Sequence, residues 1–168
     1  LLNENHLAAF RQKHIGFVFQ SYNLLPELTA AENVAMPLMF RGVDAETRLI
    51  EAKKMLCRVG LKDRMDHFPN QMSGGQQQRV GIARAFITRP EVVFADEPTG
   101  NLDSKTTKEV MHMIRGFAHR FHQTIVLVSH DPEMTEYADR IVTLIDGNIV
   151  SDVKNQVKAE IDAASYIE

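Results

Sequence analysis

Two adjacent carboxylates directly follow an uninterrupted apolar stretch. Residues 92–95 read Val-Val-Phe-Ala, and Asp96 and Glu97 come next. An apolar run without alternation is typical of a strand covered on both faces. Asp96 could then hold Mg²⁺, which takes one or two carboxylates together with phosphate oxygens, and Glu97 could act as a general base on a water molecule. A turn or helix cap after a core strand would show the same pair, so the pair alone does not decide.

Two further predicted strands also end on polar side chains. Residues 15–19 end at Gln20, and the predicted buried strand 124–129 ends at Ser129 and His130. In parallel sheets with helices packed on them, ligands bind beyond the carboxyl ends of the strands. The sequence therefore predicts that these side chains meet Asp96 and Glu97 at one rim, although a lone histidine after a core strand is more often structural.

The segment Ser73-Gly74-Gly75-Gln76 opens a predicted helix that runs to about residue 88. The two glycines would let the backbone approach a ligand closely. The free N–H groups and the positive dipole end of a helix N-terminus suit phosphate. Ser-x-x-Gln is also a capping box, so an ordinary helix start is the alternative interpretation.

The elements that must position these residues alternate between strand and helix. A short helix is predicted over residues 5–13, and a helical block over 29–66, in which Pro37 should end or kink the first helix. Asp103 or Ser104 should cap a later helix. A third strand over 141–145 precedes an Asp146-Gly147 hairpin turn. This order predicts an α/β fold with a parallel sheet flanked by helices.

Composition favours one soluble domain. The chain has 168 residues, of which 44% are hydrophobic and 24% charged. The net charge of −3 gives no electrostatic case for nucleic acid or for an anionic membrane surface. No apolar run approaches the ~20 residues that span a bilayer, so direct membrane insertion is not expected. Cys57 is the single cysteine, which rules out an internal disulfide, and a packed or idle thiol is the expected state.

Taken together, in this order and at these separations, the motifs resemble those of ABC transporter ATP-binding subunits. Residues 72–76 resemble the signature motif, with Met72 replacing the usual Leu, a volume-conserving departure. Residues 92–97 resemble the Walker B strand with its catalytic Glu, and 101–103 resemble the D-loop. Gln20 resembles the Q-loop glutamine, and His130 the switch histidine. Segments 21–37 and 98–103 are similar to the bacterial macrolide-export, lipoprotein-release and antimicrobial-peptide-export group.

The resemblance implies a P-loop NTPase-like organisation. Residues 1–20 and 73–152 would form part of a RecA-like core, with an all-helical subdomain inserted at 21–72 and a C-terminal amphipathic helix at 153–168. No Gly-x-x-x-x-Gly-Lys-Ser/Thr pattern occurs in the sequence. We therefore expect a shortened, partial ABC ATPase domain that lacks the N-terminal Walker A strand and loop, does not hydrolyse ATP alone and exposes apolar surface.

The resemblance also implies roles for individual residues. Asp96 would coordinate Mg²⁺, and Gln20 would contact Mg²⁺ or water and sense the nucleotide state. Glu97 would activate the water that attacks the γ-phosphate of ATP, and His130 would contact that phosphate or water. Across a dimer seam, Ser73, Gly74, Gly75 and Gln76 would complete the ATP site of a second subunit, and Asp103 would lie near its phosphate loop.

The implied partners are a second copy of the chain, arranged head to tail, and an integral-membrane permease. Tyr22, Leu24 and Leu25 are candidate contacts with the permease, or simply pack against helices. The protein would be cytoplasmic, at the inner face of the cell membrane, and would drive export or extraction of a cargo that the sequence does not name.

Three other interpretations remain open from the sequence. The chain could belong to a soluble ABC ATPase of DNA repair, chromosome handling or translation, although no coiled coil or second nucleotide domain is present. It could control cell-wall hydrolases through a membrane partner. It could also be a dimerisation or regulatory module without enzymatic activity.

Overall fold

The structure is a computed structural model that describes residues 3–155. This part of the chain forms ten helices and strands. They are α1 (Glu4–His14), β1 (Ile15–Phe19), α2 (Ala30–Phe40), α3 (Ala45–Arg58), α4 (Gly74–Phe86), β2 (Val92–Asp96), α5 (Ser104–Arg120), β3 (Thr124–Val128), β4 (Arg140–Ile145) and β5 (Asn148–Lys154). Short 3₁₀ turns occupy Lys62–Arg64, Pro69–Gln71 and Pro132–Tyr137.

Strands β1, β2 and β3 form a parallel sheet in that order. The register places Phe19 beside Asp96, and Asp96 beside Val128, so the three strands end level with one another. The main core lies between this sheet and helices α4 and α5, and it includes Val18, Val93 and Phe117. The predicted α/β class with a parallel sheet is confirmed.

Local capping signals fold as the sequence predicts. Glu32 and Thr29 exchange both hydrogen bonds of a capping box at the start of α2, and Asp44 caps α3. Gly60 follows the end of α3 with a positive φ of 74°. These short-range patterns determine the helix ends because each donor and acceptor lies within four residues of its partner.

Of the two predicted effects of Pro37, an end or a kink of α2, the end does not occur, since the helix continues to Phe40. Proline removes one backbone donor from the helix interior. Helix α2 packs against α3 and α4 and buries Val34 and Ala35. This burial stabilises the helix beyond the lost hydrogen bond.

The prediction that the strand at 92–95 is covered on both faces is met fully on one face, whereas on the other its residues are only partly buried. Val93 and Ala95 are fully buried against the helices. On the opposite face, Phe17, Val126 and Val128 are 43%, 38% and 53% exposed. Strand β3 also forms an edge of the sheet, since among the described residues it pairs with β2 alone.

This exposed apolar face should bind hydrophobic dyes. We expect the double substitution Val126→Thr and Val128→Thr to lower the fluorescence of an added naphthalene-sulfonate dye, because threonine keeps β propensity and removes apolar surface. Ile50→Thr is the matched control, since Ile50 is 46% exposed on helix α3, away from the sheet. Equal fluorescence for both variants would show that the sheet face is not what the dye recognises.

The third predicted strand lies outside the parallel sheet. Strands β4 and β5 pair antiparallel as a separate hairpin. Its turn has Asp146 and Gly147 at φ values of 48° and 76°, the left-handed pair that the sequence predicts. Val153 and Lys154 belong to β5, so a C-terminal helix starting at residue 153 is wrong at its beginning. Residues 156–168 lie outside the described part of the chain.

Candidate functional site

The carboxyl ends of the parallel strands carry the predicted polar residues. Gln20 follows β1, Asp96 is the last residue of β2, and Ser129 and His130 follow β3. Because the strands end level, these residues share one rim of the sheet. Asp96 and Gln20 are exposed there.

Glu97 makes the densest set of contacts at this rim. Its carboxylate Oε2 accepts a hydrogen bond from Ser129 Oγ at 3.0 Å. Its Oε1 accepts from the backbone N–H of His130 at 2.8 Å and lies 2.6 Å from His130 Nδ1. The backbone of Glu97 has a φ of 43°, an uncommon value for a residue with a side chain. The loop thus holds the carboxylate against the end of β3.

These contacts set the charges of the pair. Burial raises the pKa of Glu97, but hydrogen bonds from His130 and Ser129 outweigh it and bring that pKa below its ordinary value of 4.5. The neighbouring carboxylate raises the pKa of His130 above 6.5. The His130 side chain is 87% exposed, so solvent screens the interaction. Glu97 is therefore ionised near neutral pH, as a good hydrogen-bond acceptor and a weak base.

The pairing predicts a pH window of stability. The raised pKa of His130 stabilises the fold fully below pH 6.5, and this contribution is lost as pH rises through the raised value. The lowered pKa of Glu97 stabilises it fully above pH 4.5, and this contribution is lost as pH falls through the lowered value. Both contributions are therefore complete only between pH 4.5 and pH 6.5.

We expect NMR titration of the His130 imidazole to give a pKa above its ordinary value, and Glu97→Gln to lower it. Glu133→Gln is the control, because it removes a carboxylate from the loop that follows His130 and leaves the pair intact. An unchanged His130 titration in Glu97→Gln would contradict the pairing.

Gln20 reaches the loop that follows Glu97. Its Nε2 lies 2.6 Å from the position that a Cβ on Gly100 would occupy. Its backbone carbonyl accepts a hydrogen bond from Asn101 Nδ2 at 3.1 Å. The structure therefore links Gln20 to Glu97 through the intervening loop.

The oxygen donors at the rim fit a magnesium ion. Asp96 offers a carboxylate and Gln20 an amide oxygen, and both are solvent-accessible. Hard oxygen donors in this small number suit Mg²⁺, which keeps several of its positions for water and phosphate. An open cleft of about 480 Å³ has Glu97, Gly100 and His130 in its wall.

The remaining predicted residues act as helix caps. Ser73 Oγ accepts from Gln76 N–H at 3.3 Å, and Gln76 Oε1 accepts from Ser73 N–H at 3.0 Å, so the capping box at the start of α4 is present. Asp103 accepts from the backbone of Lys105 and Thr106 and caps α5. Ser73 is exposed and does not point into its own core.

Sequence reasoning missed two buried polar residues of α4. Arg84 is 9% exposed and donates to the carbonyl oxygens of Asn23 at 2.5 Å and Tyr22 at 2.8 Å. Gln78 is fully buried and donates to the carbonyl of Pro98, next to Glu97, at 2.6 Å. Helix α4 therefore holds both the Gln20 loop (residues 20–28) and the Glu97 loop (residues 97–103). The signal available in the sequence was the presence of long polar side chains within a helix that also carries many apolar residues.

A comparison with family models decides the identification. Residues 2–100, more than half of the chain, match the model described as ABC transporter. The chain belongs to the ABC transporter family. The resemblance to ABC transporter ATP-binding subunits is thereby confirmed at the level of the family.

Relatives of this ABC domain include transporter proteins of two named kinds. The macrolide export ATP-binding/permease protein MacB of Pasteurella multocida is 48% identical over 151 residues, which cover 90% of this chain and 23% of MacB. The lipoprotein-releasing system ATP-binding protein LolD of Bacteroides fragilis is 46% identical over 149 residues, which cover 89% of this chain and 69% of LolD. The chain thus spans about a quarter of the first relative and about two thirds of the second.

A solved structure shows the same fold. It is described as the dimeric post-hydrolysis state of the ATP-binding cassette MJ0796 bound to ADP and Pi. The TM-score is 0.81 at 41% identity, and the match covers 91% of this ABC domain and 68% of that chain. Within residues 3–155, none of the helices combines the length and apolarity needed to cross a bilayer.

Proposed function

We propose that this ABC domain, within the complete protein, contributes to the binding and hydrolysis of ATP, and that hydrolysis is coupled to a membrane permease for export or extraction of a cargo. The observation that carries the proposal is the Glu97–Ser129–His130 cluster at the sheet rim, next to exposed Gln20 and Asp96. A cluster of ionised and hydrogen-bonding groups beyond the ends of parallel strands suits a polar ligand.

Asp96 and Gln20 are the proposed holders of Mg²⁺ on the phosphates. When bound, the ion neutralises charge on the phosphate oxygens. The two side chains would fix its position relative to Glu97, which lies one residue beyond Asp96. The sheet rim would thereby orient the γ-phosphate toward the cluster.

Glu97 is the proposed acceptor for the attacking water. Because its carboxylate is ionised and weakly basic, its main contribution would be to orient and polarise the water. In the present geometry its two oxygens take part in three hydrogen bonds, and because an ionised carboxylate has about four acceptor sites, Oε2 can still accept from the water. The largely exposed His130 ring could then turn to the γ-phosphate.

A second copy of the chain is the proposed partner that closes the site. The segment 73–76 starts a helix and lies at the surface, so its N–H groups can meet an anion from outside. Two copies facing head to tail would place this segment, with Asp103 nearby, over the γ-phosphate held by the other copy. The dimeric description of the similar cassette supports this arrangement.

Opening of that dimer is the proposed conformational change that acts on the permease. Hydrolysis removes phosphate contacts that bridge the copies, so the equilibrium shifts toward separation. Residues 21–72 would move as the helical subdomain and contact the permease, which places the protein in the cytoplasm at the inner face of the membrane. The ATP-binding/permease description of MacB supports a permease partner.

Phosphate release by purified protein tests the proposal. The complete protein encoded by the gene should hydrolyse ATP only when Mg²⁺ is present. The 168-residue chain alone should not, because no Gly-x-x-x-x-Gly-Lys-Ser/Thr cradle lies within it. Turnover by the 168-residue chain would contradict the second expectation, and absence of turnover by the complete protein would contradict the function itself.

A further inference from the structure

The two glycines at the start of α4 have no backbone reason to be glycine. Gly74 and Gly75 are the first residues of the helix, and neither has a positive φ. Alanine forms helices more readily than glycine. The space around these positions must therefore explain the residue type.

That space is filled by the chain itself. A Cβ on Gly74 would lie 2.7 Å from Tyr22 Oη, and a Cβ on Gly75 would lie 2.8 Å from Thr106 Cγ2. Real Cβ atoms essentially never come so close to another heavy atom. The direction in which a side chain would leave Gly74 thus points to Tyr22, and a ligand would have to approach the turn from another side.

Tyr22 lies along helix α4. Arg84 holds its carbonyl oxygen, and the same oxygen lies 3.6 Å from a Cβ position on Gly81. Its hydroxyl lies beside Gly74, about two turns, or roughly 10 Å, further toward the N-terminus of the helix. Its backbone has a φ of 61°, and it follows Gln20 by two residues. One side chain therefore connects the Gln20 loop to the start of α4.

We propose that Tyr22 is a positioning residue that sets the place of the segment 73–76, and that Gly74 is glycine to accommodate its ring. The inference rests on the proposed function, in which that segment closes the ATP site of a facing copy. A shift of the Gln20 loop when nucleotide binds would move the Tyr22 ring, and with it Ser73. The loop of one site would thus adjust the segment that completes the other.

The test is a double-mutant cycle in the complete protein. In the unsubstituted background, Gly74→Ala should push the turn aside and lower kcat for ATP by at least about tenfold and up to about a hundredfold, the cost that a displacement near 1 Å can have. In the Tyr22→Phe background the nearest ring atom is 3.7 Å away, an ordinary contact. There, Gly74→Ala should lower kcat by less than about threefold, which makes the two substitutions strongly coupled.

The KM for ATP separates positioning from general damage. It should change little in every variant, because ATP first binds to one copy and the segment 73–76 of the facing copy reaches it only when the two copies close. All four proteins are measured below their unfolding temperatures. Gly75→Ala is the matched control. Tyr22→Phe should not reduce the fall in kcat that Gly75→Ala causes. Thr106→Ser should reduce that fall, because it removes the Cγ2 methyl.

Two outcomes would overturn the inference. An equal fall in both backgrounds would show that a ligand, not Tyr22, requires the glycine. No fall in the unsubstituted background would show that the ring yields without moving the turn. Absence of hydrolysis in the unsubstituted protein would contradict the proposed function, so the two failures are distinguishable.

Discussion

Glu97→Gln is expected to lower ATP hydrolysis by the complete protein about a hundred- to ten-thousandfold, the range for loss of a group that assists proton transfer. Glutamine preserves the shape of the side chain and removes its charge, so nucleotide binding should persist. The substitution should also weaken the contact with His130, because His130 Nδ1 lies 2.6 Å from Glu97 Oε1 and the carboxylate is ionised. Phosphate release and equilibrium binding of a fluorescent ATP analogue measure the two effects separately.

Glu91→Gln is the matched control for this prediction. Glu91 lies just before β2, at the opposite end of the strand that carries Asp96, and its side chain is 76% exposed. Turnover should remain within about twofold, because surface substitutions seldom perturb a protein strongly. If Glu97→Gln were as active as Glu91→Gln, the cluster at the sheet rim would not be the catalytic centre.

Asn33→Leu is expected to destabilise the fold by about 3 kcal/mol, because it leaves several buried backbone groups without partners. Asn33 is fully buried in α2. Its Oδ1 accepts from Leu25 N–H at 2.8 Å, and its Nδ2 donates to the carbonyls of Leu25, Leu28 and Thr29, each at 3.0 Å. These bonds tie the Gln20 loop to α2, so the loop should also become more mobile.

Urea denaturation of the complete protein, with Asn70→Leu as control, measures this effect. Asn70 is exposed in the Pro69–Gln71 turn. Its replacement should change the free energy of unfolding by no more than about 0.5 kcal/mol. Equal midpoints for the two variants would mean that the bonds of Asn33 contribute nothing net to stability.

Short-range chemistry made much of the fold predictable. The Thr29–Glu32 and Ser73–Gln76 capping boxes, the Asp44 cap and the Asp146-Gly147 turn each depend on residues only a few positions apart. The order of strands and helices then predicted the level strand ends of the parallel sheet.

Burial could not be predicted in the same way. The apolar run before Asp96 shows that β2 can be covered on both faces, but whether a second layer is present depends on distant parts of a structure. Similarly, Pro37 has an unfavourable local effect, and the packing of α2 against α3 and α4 overrides it.

Contacts between distant residues explain the rest of what was missed. The positions of Tyr22 and Gly74 are far apart in sequence, and nothing in the local pattern shows that they touch. From sequence alone, the glycines of segment 73–76 indicated close approach of a ligand. The buried links from Gln78 to Pro98 and from Arg84 to the Gln20 loop likewise depend on tertiary packing.

The central claim is best tested by a cryo-electron-microscopy structure of the complete Glu97→Gln protein with Mg²⁺ and ATP. The account predicts a head-to-tail pair in which Gln20, Asp96 and His130 of one copy surround the metal-bound triphosphate and Ser73 of the other copy contacts its γ-phosphate. A nucleotide bound away from this sheet rim, or a Ser73 that contacts only its own chain while ATP is bound, would contradict it.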